Sequence, residues 1–276
     1  MDEVLSNWST ATQGPKPKVV ILVPTGQNPS GTTMSIGRRK VIYGLARKHD
    51  LIIISDDPYR ALVLNFSDDG KAAPAAPSFL EIDSDARVVD LSSFSKIVAP
   101  GCRCGWITGP SQLLERFAYR SEVTTQSISG FSLAAITSFI GAIGGQEGWE
   151  KYLEHCSLSY SDRARRMEAL FREHLPLEVV SWVTPKAGMF YFIRLKAAAH
   201  PRIAELGPDG VLLDVFETGI ANGVTTAPSD LFRADPSVPT TVDDIFLRCS
   251  FSYTTPKEMA EGARRLGHAI RESFGL

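Results

Sequence analysis

One lysine of this sequence stands in a run of residues that suits covalent chemistry with a phosphate-bearing aldehyde. Lys96 follows two serines, Ser93 and Ser95, and Arg103 comes seven residues later. An amine can bond to an aldehyde, hydroxyls donate to phosphate oxygens, and the planar guanidinium of arginine offers phosphate paired donors. The alternative is a surface loop with an ordinary solvated lysine, and the presence of Arg103 counts against it.

A pair of acids with a tyrosine nearby forms a second candidate group. Asp56, Asp57, Pro58 and Tyr59 directly follow an apolar run. A carboxylate at the end of a strand can hold a proton on a pyridine nitrogen, which makes the ring an electron sink, and a phenol can reach the same ring. Because Asp and Pro also favour turns, these residues taken alone fit a solvated turn equally well.

Two further features could bind the oxygens of a small ligand. Residues 25–31, Thr-Gly-Gln-Asn-Pro-Ser-Gly, combine turn-forming glycines with the amide of Asn28, although such a segment alone is typical of an ordinary loop. Arg248 interrupts the apolar run Phe-Leu-Arg-Cys-Ser-Phe. A charge in such a run must be paired, and either a bound carboxylate or a buried acid of the protein would pair it.

Strands and helices alternate around these residues. Continuous apolarity is typical of strands covered on both faces of a parallel sheet. Strands of this kind are predicted at residues 19–24, 51–55, 87–92 and 104–109. Residues 35–49 predict a helix capped by Ser35. Each candidate residue in this part of the chain therefore follows a strand, and open α/β sheets bind their ligands at that edge.

A long helix predicted over residues 147–174 begins a second set of elements. Its aromatic and apolar side chains recur at three- and four-residue steps, which is typical of a helix face in the core. Strands follow at residues 188–195 and 244–251, and a last helix at 256–274. Strands mixed with helices indicate a smaller α+β domain. We therefore expect one domain at residues 1–146 and another at 147–276.

Composition excludes several classes of function. The chain has 276 residues, 43% of them hydrophobic and 22% charged, as in ordinary globular proteins. A net charge of -2 argues against nucleic acid as the main partner, and no apolar run approaches the ~20 residues that cross a membrane. The N-terminus has no signal-peptide pattern. The cysteines predict neither a metal site nor disulfides, so we expect a reducing, cytoplasmic location; they are Cys102, Cys104, Cys156 and Cys249.

In this order the motifs resemble the class I/II aminotransferases of pyridoxal 5'-phosphate (PLP) fold type I, over essentially the whole chain. The branch in question contains aromatic amino acid, kynurenine and 2-aminoadipate aminotransferases. The resemblance rests on Asn-Pro-Ser-Gly at 28–31, Asp-Asp-Pro-Tyr at 56–59, Ser-Phe-Ser-Lys at 93–96, Arg-Cys-Gly-Trp at 103–106 and Pro-Lys-Ala-Gly-Met-Phe at 185–190. It implies an α/β fold with a mostly parallel, partial large domain and a smaller α+β C-terminal domain.

The resemblance also implies a role for each candidate residue. Lys96 would be the catalytic residue, carrying PLP as a Schiff base and moving a proton as general base. Asp56, rather than Asp57, would face the pyridine nitrogen. Arg248, together with Asn28, would bind the substrate carboxylate. The full set of implied cofactor-binding residues is Asn28, Asp56, Tyr59, Ser93, Ser95, Lys96 and Arg103.

The implied activity is the transfer of an amino group from an aromatic-type amino acid to a 2-oxo acid such as 2-oxoglutarate, by a homodimer. Two features depart from the family. The family has a substantial region before the Asn28 loop, so this sequence is expected to be the C-terminal part of an aminotransferase. Residues 228–232 also lack the usual glycine. A PLP-dependent lyase or decarboxylase of the same fold, a catalytically impaired relative and a plain α/β binding module remain open.

Overall fold

The computed structural model describes residues 1–67 and 69–276 and divides them into two compact units. The first unit comprises Met1–Thr25, Thr33–Val63 and Ala72–Cys156, and the second comprises Gly26–Thr32, Leu64–Lys71 and Ser157–Leu276. These units differ from the predicted division at residue 146. The boundary falls inside one long helix, and two short segments from the first half of the chain belong to the second unit.

A four-stranded sheet forms the centre of the first unit. Its strands are β1 (Val19–Leu22), β2 (Ile52–Asp56), β3 (Val88–Ser93) and β4 (Gly105–Thr108), in that order. The first three strands run parallel, and β4 returns antiparallel to β3. All four lie within or next to the runs that predicted them. The candidate residues that follow β2 and β3 therefore share one edge of the sheet.

The first strand is an exception to the expected burial. Continuous apolarity predicted that both its faces are covered, but β1 is an edge strand and leaves the Val19 and Ile21 side chains 46% and 67% exposed. The inner strand β2 fits the expectation better, with Ile53 fully buried. Sequence apolarity could not distinguish these two positions, because burial of a strand depends on the neighbours that cover it.

The first unit also contains helices. The first unit contains α1 (Asp2–Ser6), α2 (Thr10–Gln13), α3 (Ile36–His49), α4 (Ser111–Glu122), α5 (Gly130–Ala142) and the first part of α6 (Gly145–His174). The predicted cap of α3 is present, because the Ser35 hydroxyl accepts from the Arg38 backbone. Tyr43 and Ala46 of α3 pack in a core with Ile53 of β2. Helices α4 and α5 were not predicted.

A second, antiparallel sheet lies in the second unit, in the order β5-β6-β8-β7. Its strands are β5 (Val180–Trp182), β6 (Phe190–Leu195), β7 (Ala227–Pro228) and β8 (Phe246–Ser250). It packs with α6, α7 (Ile203–Ala221) and α8 (Pro256–Phe274) around one core. The strand runs at 188–195 and 244–251 correctly predicted β6 and β8. Helix α7 escaped prediction because Gly207 and Pro208 break its helical pattern.

The predicted last helix is α8, with the bounds that its apolar spacing indicated. It begins with a capping box, in which the Thr255 side chain accepts from the Glu258 backbone and the Glu258 carboxylate accepts from the Thr255 backbone. Met259, Leu266 and Ile270 are buried in the second core. Within the two described stretches of chain, none of the helices has the length and apolarity that a membrane crossing requires.

Candidate functional site

Lys96 ends a short 3-10 helix, Phe94–Lys96, that continues directly from β3. Ser93 caps this helix: its hydroxyl accepts from the Ser95 backbone at 3.0 Å and donates to the Cys104 carbonyl at 3.5 Å. Helix α6 also contacts this segment, because the Tyr152 hydroxyl donates to the Ile97 carbonyl at 2.6 Å. The lysine and both predicted serines therefore lie on one well-anchored turn.

The predicted phosphate arginine lies on the hairpin that joins this turn to β4. The Phe94 backbone donates to the Cys104 carbonyl at 3.0 Å, which closes the hairpin. Arg103 is exposed, has a left-handed backbone with a φ of 47°, and donates to the Pro100 carbonyl at 3.3 Å. Gly105 is required next to it, because a Cβ there would lie 2.6 Å from the Ser92 carbonyl oxygen.

Asp56 and Tyr59 occupy the end of the neighbouring strand, β2. Asp56 is half-buried, and burial raises the pKa of its carboxyl group. The Tyr59 side chain is buried, and the Lys96 amine lies 5.9 Å from the centre of its ring. The first unit thus places a carboxyl, a phenol and an amine at the carboxyl ends of two adjacent parallel strands, which is the usual place for a ligand in such a sheet.

Asp57, to which the motif spacing assigns no role, is more deeply buried than Asp56. Its side chain is 2% exposed, and burial raises its pKa to about 6. The Thr25 hydroxyl and the Arg39 guanidinium moderate this rise, but neither carboxyl oxygen makes a full hydrogen bond with a described residue. Asp57 is therefore a buried acid of the scaffold, whereas Asp56 is only half-buried.

Arg39 is a buried residue of this site region that was not predicted. It is 1% exposed and donates to the carbonyls of Met34, Pro77 and Pro24 and to the Thr25 hydroxyl, at 3.0 to 3.3 Å. It thereby ties the end of β1 to α3. Its one signal in the sequence is a position on the apolar face of the helix, where a charge is costly unless it is paired.

The second unit contains the predicted carboxylate site. Arg248 is on β8, and one of its terminal nitrogens donates to the Asn28 side-chain oxygen at 2.7 Å. The sequence left open whether a buried acid pairs this arginine. Among the described residues the partner is this neutral amide, so the charge of the guanidinium is not compensated. Its Nε atom is also buried without a hydrogen-bond partner in the described part of the chain.

The Asn28 loop belongs to the second unit because it approaches the start of β6 closely. A Cβ on Gly26 would lie 2.7 Å from backbone atoms of Ala187 and Gly188, and one on Gly31 would lie 2.7 Å from the Phe190 carbonyl oxygen. The segments 28–31 and 185–190 therefore pack against each other. Their glycines are required by this contact, which brings Asn28 to Arg248.

An aromatic cavity of about 440 Å³ adjoins the Asn28–Arg248 pair in the second unit. Pro29, Phe192, Phe232 and Phe246 line it together with Leu212. The rings of Phe192 and Phe246 stack in parallel, with centroids 4.4 Å apart. Four acids and one arginine also line the cavity, so its aromatic rings stand among charged side chains; they are Asp209, Asp230, Asp235, Asp244 and Arg233.

Each unit thus brings together part of the predicted set. The first unit holds Asp56, Tyr59, Ser93, Ser95, Lys96 and Arg103, and the second holds Asn28 and Arg248. Within residues 1–67 and 69–276, no three His, Cys, Asp or Glu side chains are grouped so as to hold a metal ion. The first group offers an amine, hydroxyls, a guanidinium, a carboxyl and a phenol, which together suit a phosphorylated, ring-containing aldehyde.

Comparisons with known proteins agree on one family. The family model described as aminotransferase class I and II matches residues 1–266. Aminotransferase swnA of Metarhizium robertsii is 36% identical over 291 residues, which cover 100% of this chain and 57% of that protein. Aromatic amino acid aminotransferase C56E4.03 of Schizosaccharomyces pombe is 34% identical over 289 residues, which cover 99% of this chain and 60% of that protein.

A solved structure supports the same relationship. The crystal structure of aminotransferase Aro8 from Candida albicans matches with a TM-score of 0.91 and 35% identity, and covers 100% of this chain and 60% of that one. The chain therefore spans about three fifths of the length of the relatives that it matches.

Proposed function

Because the chain belongs to the aminotransferase class I and II family, we propose that it serves the PLP-dependent transfer of an amino group from an aromatic-type amino acid to a 2-oxo acid such as 2-oxoglutarate. The observation that carries this proposal is the position of Lys96, beside Tyr59 and at the same sheet edge as Asp56. This edge is where an open α/β sheet binds its ligand.

The residues of the first unit fit PLP chemically. Lys96 would hold its aldehyde carbon, and Ser93, Ser95 and Arg103 would bind its phosphate. Asp56 would face the pyridine nitrogen. A carboxyl group whose pKa is already raised by burial gains from a cationic partner, because the pairing offsets the cost of burying its charge. When bound, PLP supplies an electron sink for the bond that is broken at the substrate.

Side chains of the protein would transfer the proton and bind the ring oxygen of the cofactor. The Lys96 amine would remove the proton from the Cα atom of the donor amino acid and, in the second half of the reaction, would supply a proton to the Cα atom derived from the 2-oxo acid; the Ser93 cap holds the turn that carries this general base. The Tyr59 hydroxyl would donate to the ring oxygen of the cofactor, the role that the resemblance also implies for the Asn28 amide. The anchored turn matters because proton transfer requires the base within hydrogen-bond reach of the proton that it moves.

Arg248 would bind the carboxylate that amino acids and 2-oxo acids share. Its charge is uncompensated by the neutral Asn28 oxygen, so a bound carboxylate would gain a charge-assisted pair of hydrogen bonds. The stacked rings of Phe192 and Phe246 beside this pair favour a donor with an aromatic side chain. The name of the Schizosaccharomyces pombe relative supports the same substrate class.

We also propose a homodimer in the cytoplasm. Helices α4 and α5 and the turn between them leave large apolar side chains exposed, which favours a protein partner on this surface. These side chains are Phe117, Tyr119, Val123, Phe131 and Leu133. The spacing of the four cysteines, which predicts neither disulfides nor a metal site, favours a reducing compartment.

An amino-transfer assay tests the proposed function. The purified chain with PLP, phenylalanine and 2-oxoglutarate should form glutamate and phenylpyruvate in equal amounts, and the K96A variant should form neither. Formation of product from phenylalanine without any 2-oxo acid would instead favour a lyase. A folded chain that forms no product and gives no PLP absorbance would favour the catalytically impaired alternative.

A further inference from the structure

The guanidinium of Arg248 lies close to two aromatic rings in the second unit. Its central carbon is 4.4 Å from the centre of the Phe190 ring and 4.9 Å from the centre of the Phe232 ring. Both distances are within the range of cation–π attraction, which reaches about 6 Å. Phe190 begins β6, whereas Phe232 ends a short 3-10 helix, Ser229–Phe232, some forty residues later in the chain.

The two rings and Asn28 together restrict the arginine. One terminal nitrogen donates to the Asn28 oxygen at 2.7 Å, and both rings are within cation–π distance of the guanidinium. Arginine side chains normally have several accessible rotamers, and fixing one of them costs entropy on binding. A guanidinium that is already held in place avoids this cost when a planar carboxylate arrives, so its hydrogen bonds add more to the affinity.

We propose that Phe232 is a positioning residue for Arg248, which holds the guanidinium ready for a carboxylate without itself taking part in the chemistry. This inference rests on the proposed function, in which Arg248 binds the substrate carboxylate. It assigns a role to residues 228–232, the segment that departs from the family pattern by lacking a glycine. The segment contributes a ring face to the carboxylate site.

Of the two rings, Phe232 is the one that can be substituted with less disturbance of the fold. Phe190 is 8% exposed and belongs to a paired strand. Phe232 is only half-buried, and its short helix is fixed at the other end, where the Ser229 hydroxyl donates to the Asp244 carbonyl at 2.9 Å and accepts from the Phe246 backbone at 3.2 Å. A substitution at Phe232 should therefore alter the arginine without unfolding the sheet.

Three variants distinguish the effect of the aromatic ring of Phe232 from the effect of its apolar volume. The F232L variant keeps an apolar side chain but has no ring, F232Y keeps the ring, and Y253L is the control, because it removes a ring of the same unit that is 94% exposed. In protein labelled with ¹⁵N-arginine, the Arg248 Nε–H signal, identified by its loss in R248K, should show a ring-current shift that F232L reduces and F232Y and Y253L keep. Titration with butanoate, a carboxylate without a ring, then measures affinity.

We expect F232L to weaken butanoate binding about fivefold, the equivalent of about 1 kcal/mol of cation–π attraction, and F232Y to bind like the wild-type chain. Unchanged affinity and an unmoved Arg248 signal in F232L would overturn the proposal, and so would an equal loss in F232Y. If the wild-type chain binds no butanoate while its Arg248 signal shows the ring-current shift, the proposed function is contradicted and the positioning of Arg248 by Phe232 is supported.

Discussion

Replacement of Asp57 by asparagine should change the free energy of unfolding in a pH-dependent way. The stability of D57N relative to the wild type should increase as the pH rises. Burial raises the pKa of Asp57 from 3.8 to about 6. The folded state therefore favours the protonated acid. The resulting stability is fully present below pH 3.8, the ordinary pKa of the group, and is lost as the pH rises through about 6.

The size of the effect follows from the same two values. The difference between 3.8 and about 6, at about 1.4 kcal/mol for each pH unit, corresponds to about 3 kcal/mol at 25 °C. Asparagine has a similar shape and no charge. The free energy of unfolding of D57N minus that of the wild type should therefore increase by about 3 kcal/mol between pH 3 and pH 8, whatever constant difference the amide itself introduces.

Urea unfolding followed by tryptophan fluorescence measures this difference, because Trp8, Trp106 and Trp149 lie in the first unit with Asp57. D50N is the matched control, since the Asp50 side chain is 81% exposed. A difference that stays constant with pH, or one that falls as the pH rises, would show that folding does not raise the pKa of Asp57. It would mean that Asp57 is not held in a dry environment.

Three further substitutions test other parts of the account. R248M should weaken binding of a substrate carboxylate by roughly 10- to 100-fold, the equivalent of about 1.5–3 kcal/mol for charge-assisted hydrogen bonds, as measured by competition binding, and unchanged affinity would argue against the clamp. D56A should abolish the visible absorbance of bound PLP or weaken PLP binding at least tenfold in a fluorescence titration, whereas wild-type binding would remove Asp56 from the site. G105A should destabilise the chain by about 1–3 kcal/mol in thermal unfolding, because its Cβ would lie 2.6 Å from the Ser92 carbonyl, while G101A, with nothing within 4 Å, should not.

Much of the first unit could be predicted because its motifs are local. Ser93, Ser95 and Lys96 occur within four residues, and a turn that follows a strand keeps such neighbours together. The apolar runs located the strands to within a few residues. Their burial was less predictable, as the exposed Ile21 on edge strand β1 illustrates, because it depends on which neighbours cover a strand.

Other features depend on contacts between distant parts of the chain. The sequence predicted both Asn28 and Arg248 as site residues, but their hydrogen bond joins positions 220 residues apart. The stacking of Phe232 on Arg248 and the burial of Arg39 have the same origin. A single sequence records none of these pairings. The roles of the site residues toward cofactor and substrate remain predictions, which the substitutions above address.

The central claim is that Lys96 bonds to PLP, and borohydride reduction tests it most directly. The chain is incubated with PLP, reduced, digested and analysed by peptide mass spectrometry. A phosphopyridoxyl group should be found on Lys96, and on no other lysine at stoichiometric PLP. Modification of other lysines with Lys96 left free, or an unchanged pattern of modification in K96A, would contradict it.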